Sequence, residues 1–142
     1  MVYEPFLKAK GITVLVVGSI CDGLQVDDFD ENFYFAGHAG NLDSLYNLAK
    51  VAILPIIEGA GLGIKTLDAI SREIPCVGTS LAFRGTRLCP SFAFFDDPHE
   101  FATATLESLN NPRFAQMLRT QGSALLDSQF SLKHYDEAMS SA

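Results

Sequence analysis

The residue types best suited to binding a phosphate group lie close together in the middle of this chain. A short apolar run ends near Pro55, and three glycines follow it at alternate positions, Gly59, Gly61 and Gly63. Glycines in such a loop can adopt left-handed backbone angles and let main-chain N–H groups approach an anion. Residues 58–63, which we name the glycine loop, therefore predict a site for a phosphate-bearing ligand.

A helix that starts near Gly63 would bring a cation and a hydroxyl, Lys65 and Thr66, into its first turn. A cation is unfavourable at that end because the helix dipole is positive there, unless an anion lies between them. Asp68 comes three residues after Lys65 and so lies on the same flank of the helix, where its carboxylate can accept both hydroxyls of a ribose. The pattern predicts a nucleoside diphosphate.

Each of these residues also has an ordinary structural explanation. Glycines after a strand commonly form a tight turn, and Lys65 with Asp68 fits a solvated surface pair worth about 0.2–0.5 kcal/mol. Glu58 fits a solvated loop carboxylate, although it is also the one candidate for a catalytic group. Arg84 and Arg87 could offset a diphosphate or lie in a solvated loop. The ligand hypothesis is favoured because the glycine loop follows a strand in an α/β pattern, and such folds bind ligands there.

Hydrophobic periodicity predicts strands that alternate with helices. The predicted strands are residues 12–18, 33–37, 51–55, 76–79 and 92–95. The predicted helices are residues 42–49, 64–72, 98–109 and 112–126, with an exposed loop at 18–32. Alternation of this kind is typical of βαβ units and a parallel sheet, so we expect an α/β fold.

No metal site is expected from the spacing of the possible ligands. The acidic residues of the 18–32 loop do not have the spacing of a known calcium loop, and a solvated loop is the better explanation for them. The three cysteines are widely spaced and odd in number, which favours reduced thiols in a cytoplasmic protein. The three histidines likewise lack metal-ligand spacing: they are His38, His99 and His134.

Composition indicates a soluble domain with a real core, since 48% of the residues are hydrophobic and 19% are charged. The net charge of −7 argues against a nonspecific nucleic-acid surface and against broad attraction to anionic lipid. No apolar run reaches the roughly 20 residues that a membrane helix requires. The first ten residues lack the apolar segment of a signal peptide.

The middle of the chain resembles the C-terminal, donor-binding domain of GT-B fold glycosyltransferases, in particular the retaining group 1 (family 4) type. That family has a glycine-rich loop followed by the pattern K-x-L-E-A-x-A-x-G-x-P-V-V-x-T. Residues 35–38 and 41–46 also resemble the family's strand, glycine turn and D-L-x-x-L-Y helix, and the resemblance extends from about residue 12 to 127. The residues that match the main pattern are Gly59, Ala60, Gly61, Lys65, Leu67, Asp68, Ala69, Pro75, Cys76, Val77 and Thr79.

The resemblance implies a Rossmann-like parallel sheet flanked by helices, which is one half of a GT-B fold. Asp68 stands where the family has a ribose-binding glutamate, and Gly37 with His38 would face the base. Ala60 stands where many members have a glutamate that contacts the sugar, and Arg72-Glu73 replaces small residues and glycine. The implied donor-binding residues are Gly37, His38, Glu58, Gly59, Ala60, Gly61, Lys65, Thr66 and Asp68.

Complete enzymes of this fold have two Rossmann-like domains, and 142 residues can hold one at most. The family's domain opens with a strand, whereas this chain opens with what resembles the next helix, residues 1–10. In the 3-2-1-4-5-6 order that strand would lie between the 12–18 and 51–55 strands. We expect one partial domain over 1–142, with a core at 12–127, a C-terminal helix or tail at 128–142, and an exposed sheet edge that favours self-association.

Two classes of function stay open. In the first, the full-length protein is a hexosyltransferase that moves a sugar from a UDP-, GDP- or ADP-sugar to an acceptor saccharide or lipid held by a missing N-terminal domain. This chain alone would then be inactive, and the enzyme would be cytoplasmic or peripheral to the inner face of a membrane, without cofactor or metal. In the second, the chain is a noncatalytic nucleotide-binding or assembly module. A sugar-nucleotide epimerase is less favoured.

Overall fold

The computed structural model describes residues 10–38, 40–60, 63–86 and 92–130. Two compact units divide the chain between Asn47 and Leu48. Each unit contains its own two-stranded parallel sheet. The helix predicted at 1–10 is described only at residue 10, and the helix or tail predicted at 128–142 only to residue 130. Four residues of interest lie outside the described part of the chain: Gly61, Arg87, Cys89 and His134.

The first unit is built on β1 (Val14–Val17) and β2 (Phe33–Gly37). Val14 lies opposite Phe33 and Val16 opposite Phe35, and the register shifts between Val16 and Val17. The Phe29 ring packs on the rings of Phe33 and Phe35 at centroid distances of 5.3 and 5.2 Å. Helix α1 (Leu42–Leu48) follows the second strand.

The segment between β1 and β2 is more ordered than the exposed loop predicted at 18–32. It contains two short 3-10 helices, Ser19–Gly23 and Val26–Asp28. Asn32 closes the segment, because its side-chain amide donates to the carbonyl of Ile12 at 2.9 Å and its own carbonyl accepts from Val14. The prediction of a loop was therefore wrong at these two turns, where main-chain N–H groups donate three residues back, Cys21 to Gly18 and Asp28 to Gln25.

The second unit is built on β3 (Ala52–Leu54) and β4 (Cys76–Gly78), joined by helix α2 (Ile64–Ser71). Leu54 lies opposite Gly78 in the parallel ladder. A 3-10 helix, Ser80–Phe83, follows β4 directly. Two longer helices complete the unit, α3 (Pro98–Asn110) and α4 (Pro112–Phe130).

Local sequence fixes the start of both longer helices. Asp97 is the N-cap of α3, where its carboxylate accepts from the main-chain N–H groups of His99 and Glu100, and Pro98 occupies the first turn. Asn111 ends α3, and its side-chain oxygen accepts from Arg113 at the start of α4. Helices α2, α3 and α4 all contact β4. The core of the unit consists of apolar side chains from these elements, among them Ile70, Val77, Phe83, Phe101, Leu118 and Leu125.

The α/β fold with a parallel sheet flanked by helices is confirmed. The strands predicted at 12–18 and 33–37 pair with each other, as do those predicted at 51–55 and 76–79. The strand predicted at 92–95 was wrong. Phe95 donates one hydrogen bond to Gly78 at 2.9 Å, but the N–H of Ala93 bonds to the side chain of Gln121 instead of a neighbouring strand. A single ladder bond does not make a strand.

In the described part of the chain, no helix combines the length and the apolar character that crossing a membrane requires. Burial raises the pKa of the Cys76 thiol in β4 from 9.0 to about 12, so this cysteine is an uncharged core residue at neutral pH.

Candidate functional site

The carboxyl end of β3 is held to the residue that follows β4. The hydroxyl of Thr79 donates to the carbonyl of Ile56 at 2.6 Å, and its main-chain N–H donates to Leu54 at 3.3 Å. The same hydroxyl also accepts from Ala82, where Thr79 is the N-cap of the 3-10 helix. One threonine therefore fixes where the chain leaves β3 and enters the glycine loop.

The other end of the glycine loop is packed against the 3-10 helix after β4. A side chain at Gly63 is excluded, because its Cβ would lie 2.3 Å from the carbonyl oxygen of Ala82. The main-chain N–H of Gly63 donates to the carbonyl of Arg84 at 3.3 Å. Gly63 is therefore required here by the close approach of two backbones.

Thr66 locks the first turn of α2 in place. Its side chain is 3% exposed, and its hydroxyl donates to the carbonyl of Ala82 at 2.6 Å. Thr66 was predicted to bind the donor, and its hydroxyl has a protein acceptor in this structure. Its main-chain N–H, at the N-terminal end of the helix, is the group that can face a ligand.

The N-terminus of α2 has the electrostatics of an anion site. Its N-cap is Gly63, which supplies no side-chain hydrogen bond, and no acidic residue lies in the first turn. The first N–H groups of a helix have no acceptor within the helix, so those of Ile64, Lys65 and Thr66 are available to a ligand. Lys65 is exposed at this end and forms no ion pair with any described residue.

Asp68 lies one turn further along α2. It comes three residues after Lys65, so the two residues share a flank of the helix, as the sequence predicts. Its carboxylate Oδ1 is 3.5 Å from Nε of Arg72, and the Asp68 side chain is 39% exposed. The carboxylate is therefore partly engaged but still accessible to solvent. The prediction that it binds a ribose is compatible with its position, and Arg72 was not foreseen as its neighbour.

Glu58, Gly59 and Ala60 are all exposed in the glycine loop. Gly59 has a φ of 137°, which side chains rarely allow, and a Cβ there would lie 3.3 Å from Nη2 of Arg84. The guanidinium of Arg84 thus packs against the loop backbone. Among the described residues, no acidic side chain forms an ion pair with this arginine, and its predicted role of offsetting a diphosphate stays a prediction.

The two predicted base-contacting residues belong to the first unit. Gly37 ends β2 with a φ of 60°, and its carbonyl accepts from Gly18 at 2.8 Å. His38 Nε2 lies 3.3 Å from the carboxylate of Asp22, and both side chains are 71% exposed. Gly37 is a turn glycine in this structure, and contact of either residue with a base stays a prediction.

A separate depression lies at the amino ends of β3 and β4. It encloses about 440 Å³ and is lined by residues that precede the strands and by the helices behind them, including Lys50, Glu73, Pro75 and Arg119. Parallel α/β sheets bind ligands at the carboxyl ends of their strands, so the glycine loop is the better candidate. Among the described residues, no group of three His, Cys, Asp or Glu side chains could hold a metal ion.

Sequence reasoning identified the loop, the helix and the exposed Lys65, but missed the hydrogen-bonding role of Thr79. A threonine directly after a strand and before a short helical turn is an N-cap signal, and it was available in the sequence. Ala82 supplies only a main-chain carbonyl, which no side-chain pattern can identify.

Residues 3–111 match the family model described as glycosyl transferases group 1. A comparison with curated proteins gives no match. The matched segment contains both sheets, the glycine loop and helix α2, and it covers most of the chain. The resemblance expected from the sequence is confirmed: this chain belongs to the group 1 glycosyl transferases.

Proposed function

We propose that the glycine loop and the N-terminus of α2 bind the diphosphate of a nucleoside diphosphate sugar, the donor from which the enzyme transfers a sugar to an acceptor hydroxyl. The observation that carries the proposal is the uncapped N-terminus of α2, with exposed Lys65 beside it and the glycine loop in front of it. Membership in a glycosyltransferase family agrees with a donor of this class.

The chemistry follows from charge. When the bond between the sugar and the diphosphate breaks, negative charge grows on the leaving phosphate oxygens. Main-chain N–H groups at the helix N-terminus, and the ammonium of Lys65, stabilise that charge without having to reorganise. The described ends of the loop support this role, because Thr79 holds the chain where it leaves β3 and Gly63 packs closely against Ala82.

The ribose is assigned to Asp68. Its carboxylate lies one helical turn beyond the proposed phosphate site and is accessible to solvent. Aspartate is one methylene shorter than the glutamate that the family pattern has at this position, so the ribose must approach α2 more closely. We infer that the base is uracil, guanine or adenine. The titration with UDP, GDP and ADP described below identifies which of the three binds.

One observation favours a second function, a noncatalytic nucleotide-binding module. Ala60 is exposed in the glycine loop and offers no polar side chain where the family pattern has a sugar-contacting glutamate. Glu58 is exposed two residues earlier and is the nearest carboxylate in the sequence. Donor hydrolysis or sugar transfer by the full-length protein, lost in Glu58→Gln, would support the enzyme; binding without turnover would support the module.

The test is a calorimetric titration of the purified chain with UDP, GDP and ADP, repeated with Lys65→Gln and Lys50→Gln. Lys50 is the matched control, because it belongs to the same unit but precedes β3 at the other end of the strand. We expect saturable binding of one nucleotide, weakened about fivefold by Lys65→Gln, which corresponds to about 1 kcal/mol, and unchanged by Lys50→Gln. Absence of binding, or equal losses in both variants, would overturn the proposal.

A further inference from the structure

We propose that Arg84 is a diphosphate-binding residue that also positions the glycine loop around the ligand. This inference rests on the proposed function and deepens it, because it assigns a donor contact to the segment after β4. Arg84 is the C-cap of the 3-10 helix Ser80–Phe83, outside both the loop and helix α2.

Arg84 contacts both ends of the glycine loop. At the far end, its main-chain carbonyl accepts from the N–H of Gly63 at 3.3 Å. At the near end, its guanidinium packs on Gly59, with Nη2, Cζ and Nη1 at 3.3, 3.5 and 3.9 Å from the position a Cβ would take. The guanidinium therefore borders the same loop that ends at the N-terminus of α2.

The hydrogen-bonding capacity of this guanidinium is largely unused. Of its five N–H donors, the structure gives one a partner: Nη1 donates to the carbonyl of Leu81 at 3.0 Å. Nε is buried and has no hydrogen-bond partner in the described part of the chain. No carboxylate of the described residues forms an ion pair with Arg84, although the chain has seventeen acidic residues against ten basic ones.

A buried Nε–H without a hydrogen-bond partner is costly unless a ligand supplies an acceptor. A diphosphate fits this position, since the planar guanidinium donates paired hydrogen bonds to phosphate oxygens. A purely structural role would need only the carbonyl of Arg84 and the stem of its side chain, and would not explain why Nε is buried without a partner.

The test compares two ligands of the same protein. With the nucleoside diphosphate that binds the wild-type chain, we expect Arg84→Gln to lower the affinity at least tenfold, and Arg84→Lys to lower it about threefold, since lysine keeps the charge but loses the paired donors. With the matching nucleoside, measured by competition, we expect less than a twofold change in either variant. Arg119→Gln, on α4 at the other end of the strands, is the control and should change neither affinity.

Equal losses for the nucleoside and the diphosphate would show that Arg84 only supports the loop, and would overturn the inference. The inference would also be overturned if both Arg84 variants bound the diphosphate as tightly as the wild-type chain does. The proposed function would then stand without a role for Arg84. If the wild-type chain binds no diphosphate, the proposed function fails and this inference fails with it. Thermal unfolding of each variant checks the fold, and Arg84→Lys gives the answer if Arg84→Gln does not fold.

Discussion

Asp68 and Arg72 form an ion pair along α2, with Oδ1 of the carboxylate 3.5 Å from Nε of the guanidinium. The aspartate side chain is 39% exposed and the arginine side chain 26%, although Nε of Arg72 itself is buried. A pair of this kind within one helix is worth about 0.3–0.5 kcal/mol. A ribose that competes for the carboxylate therefore loses about twofold in affinity at most, and Arg72 does not prevent Asp68 from binding it.

Asp68→Asn should weaken binding of the ribonucleoside diphosphate about tenfold, since a hydrogen bond to a charged acceptor contributes about 1.5–3 kcal/mol. The 2′-deoxy analogue lacks one of the two hydroxyls that the carboxylate would accept. Calorimetry with both ligands separates the ribose contact from a general loss of charge. We expect Asp68→Asn to weaken binding of the deoxy analogue clearly less than that of the ribonucleotide, and equal losses with both ligands would exclude a ribose contact.

Thr66→Val should destabilise the chain by about 1–3 kcal/mol, because it leaves the buried carbonyl of Ala82 without the 2.6 Å hydrogen bond from the threonine hydroxyl. Urea unfolding measures the loss. Thr103→Val is the matched control, since its exposed hydroxyl donates to His99 within α3 and its removal should cost less than about 0.5 kcal/mol. Similar losses at the two positions would mean that Thr66 does not hold α2 against the 3-10 helix.

Glu73→Gly should stabilise the chain by about 0.5–1 kcal/mol. Glu73 has a φ of 60° just after α2, and it is the one described residue other than glycine with a positive φ. Helices often end with a glycine in this conformation, because a side chain strains it. Glu73→Ala keeps a Cβ in the strained conformation and should give no gain, so thermal unfolding of the two variants tests the backbone explanation. Equal stability of the two would refute it.

The free energy of unfolding should fall in alkaline solution, because the Cys76 thiol ionises more easily in the unfolded chain than in the folded one. Burial raises the pKa of this thiol from 9.0 to about 12, so the folded chain keeps a proton that the unfolded chain releases above pH 9. The contribution of the buried, protonated Cys76 thiol to stability is therefore fully present below pH 9 and is lost as the pH rises toward 12. Between pH 8 and 10 we expect the free energy of unfolding of the wild-type chain to fall by about 1.4 kcal/mol more than that of Cys76→Val. Parallel pH profiles would contradict this.

The fold could be predicted from sequence where each segment carries its own signal. Asp97-Pro98 and Asn111-Pro112 mark helix starts by their capping chemistry, and the structure has α3 and α4 begin there. The segment at 92–95 has the composition of a strand, but its hydrogen bonding depends on the side chain of Gln121, far along the chain. Such a partner cannot be deduced from local pattern.

The candidate site also contains residues that carry a sequence signal and contacts that carry none. Gly59, Gly63, Lys65 and Asp68 carry signals in residue type and spacing, so they could be proposed from the sequence alone. The replacement of glycine by Glu73 was visible as a departure from the family pattern, and the structure shows a positive φ at this position, which glycine adopts more easily. Contacts made by main-chain carbonyls, such as those of Ala82 and Arg84 to the start of α2, depend on tertiary packing and have no sequence signal.

The central claim is that a nucleoside diphosphate binds at the carboxyl end of β3, and an NMR titration of the ¹⁵N-labelled chain tests it most directly. We expect the amide signals of Gly59, Ile64, Lys65 and Thr66 to shift in a saturable manner with the bound nucleotide, while those of Lys50, Glu73 and Arg119 at the amino ends of the strands stay in place. Saturable shifts confined to the amino-end residues would place the ligand elsewhere and contradict the account.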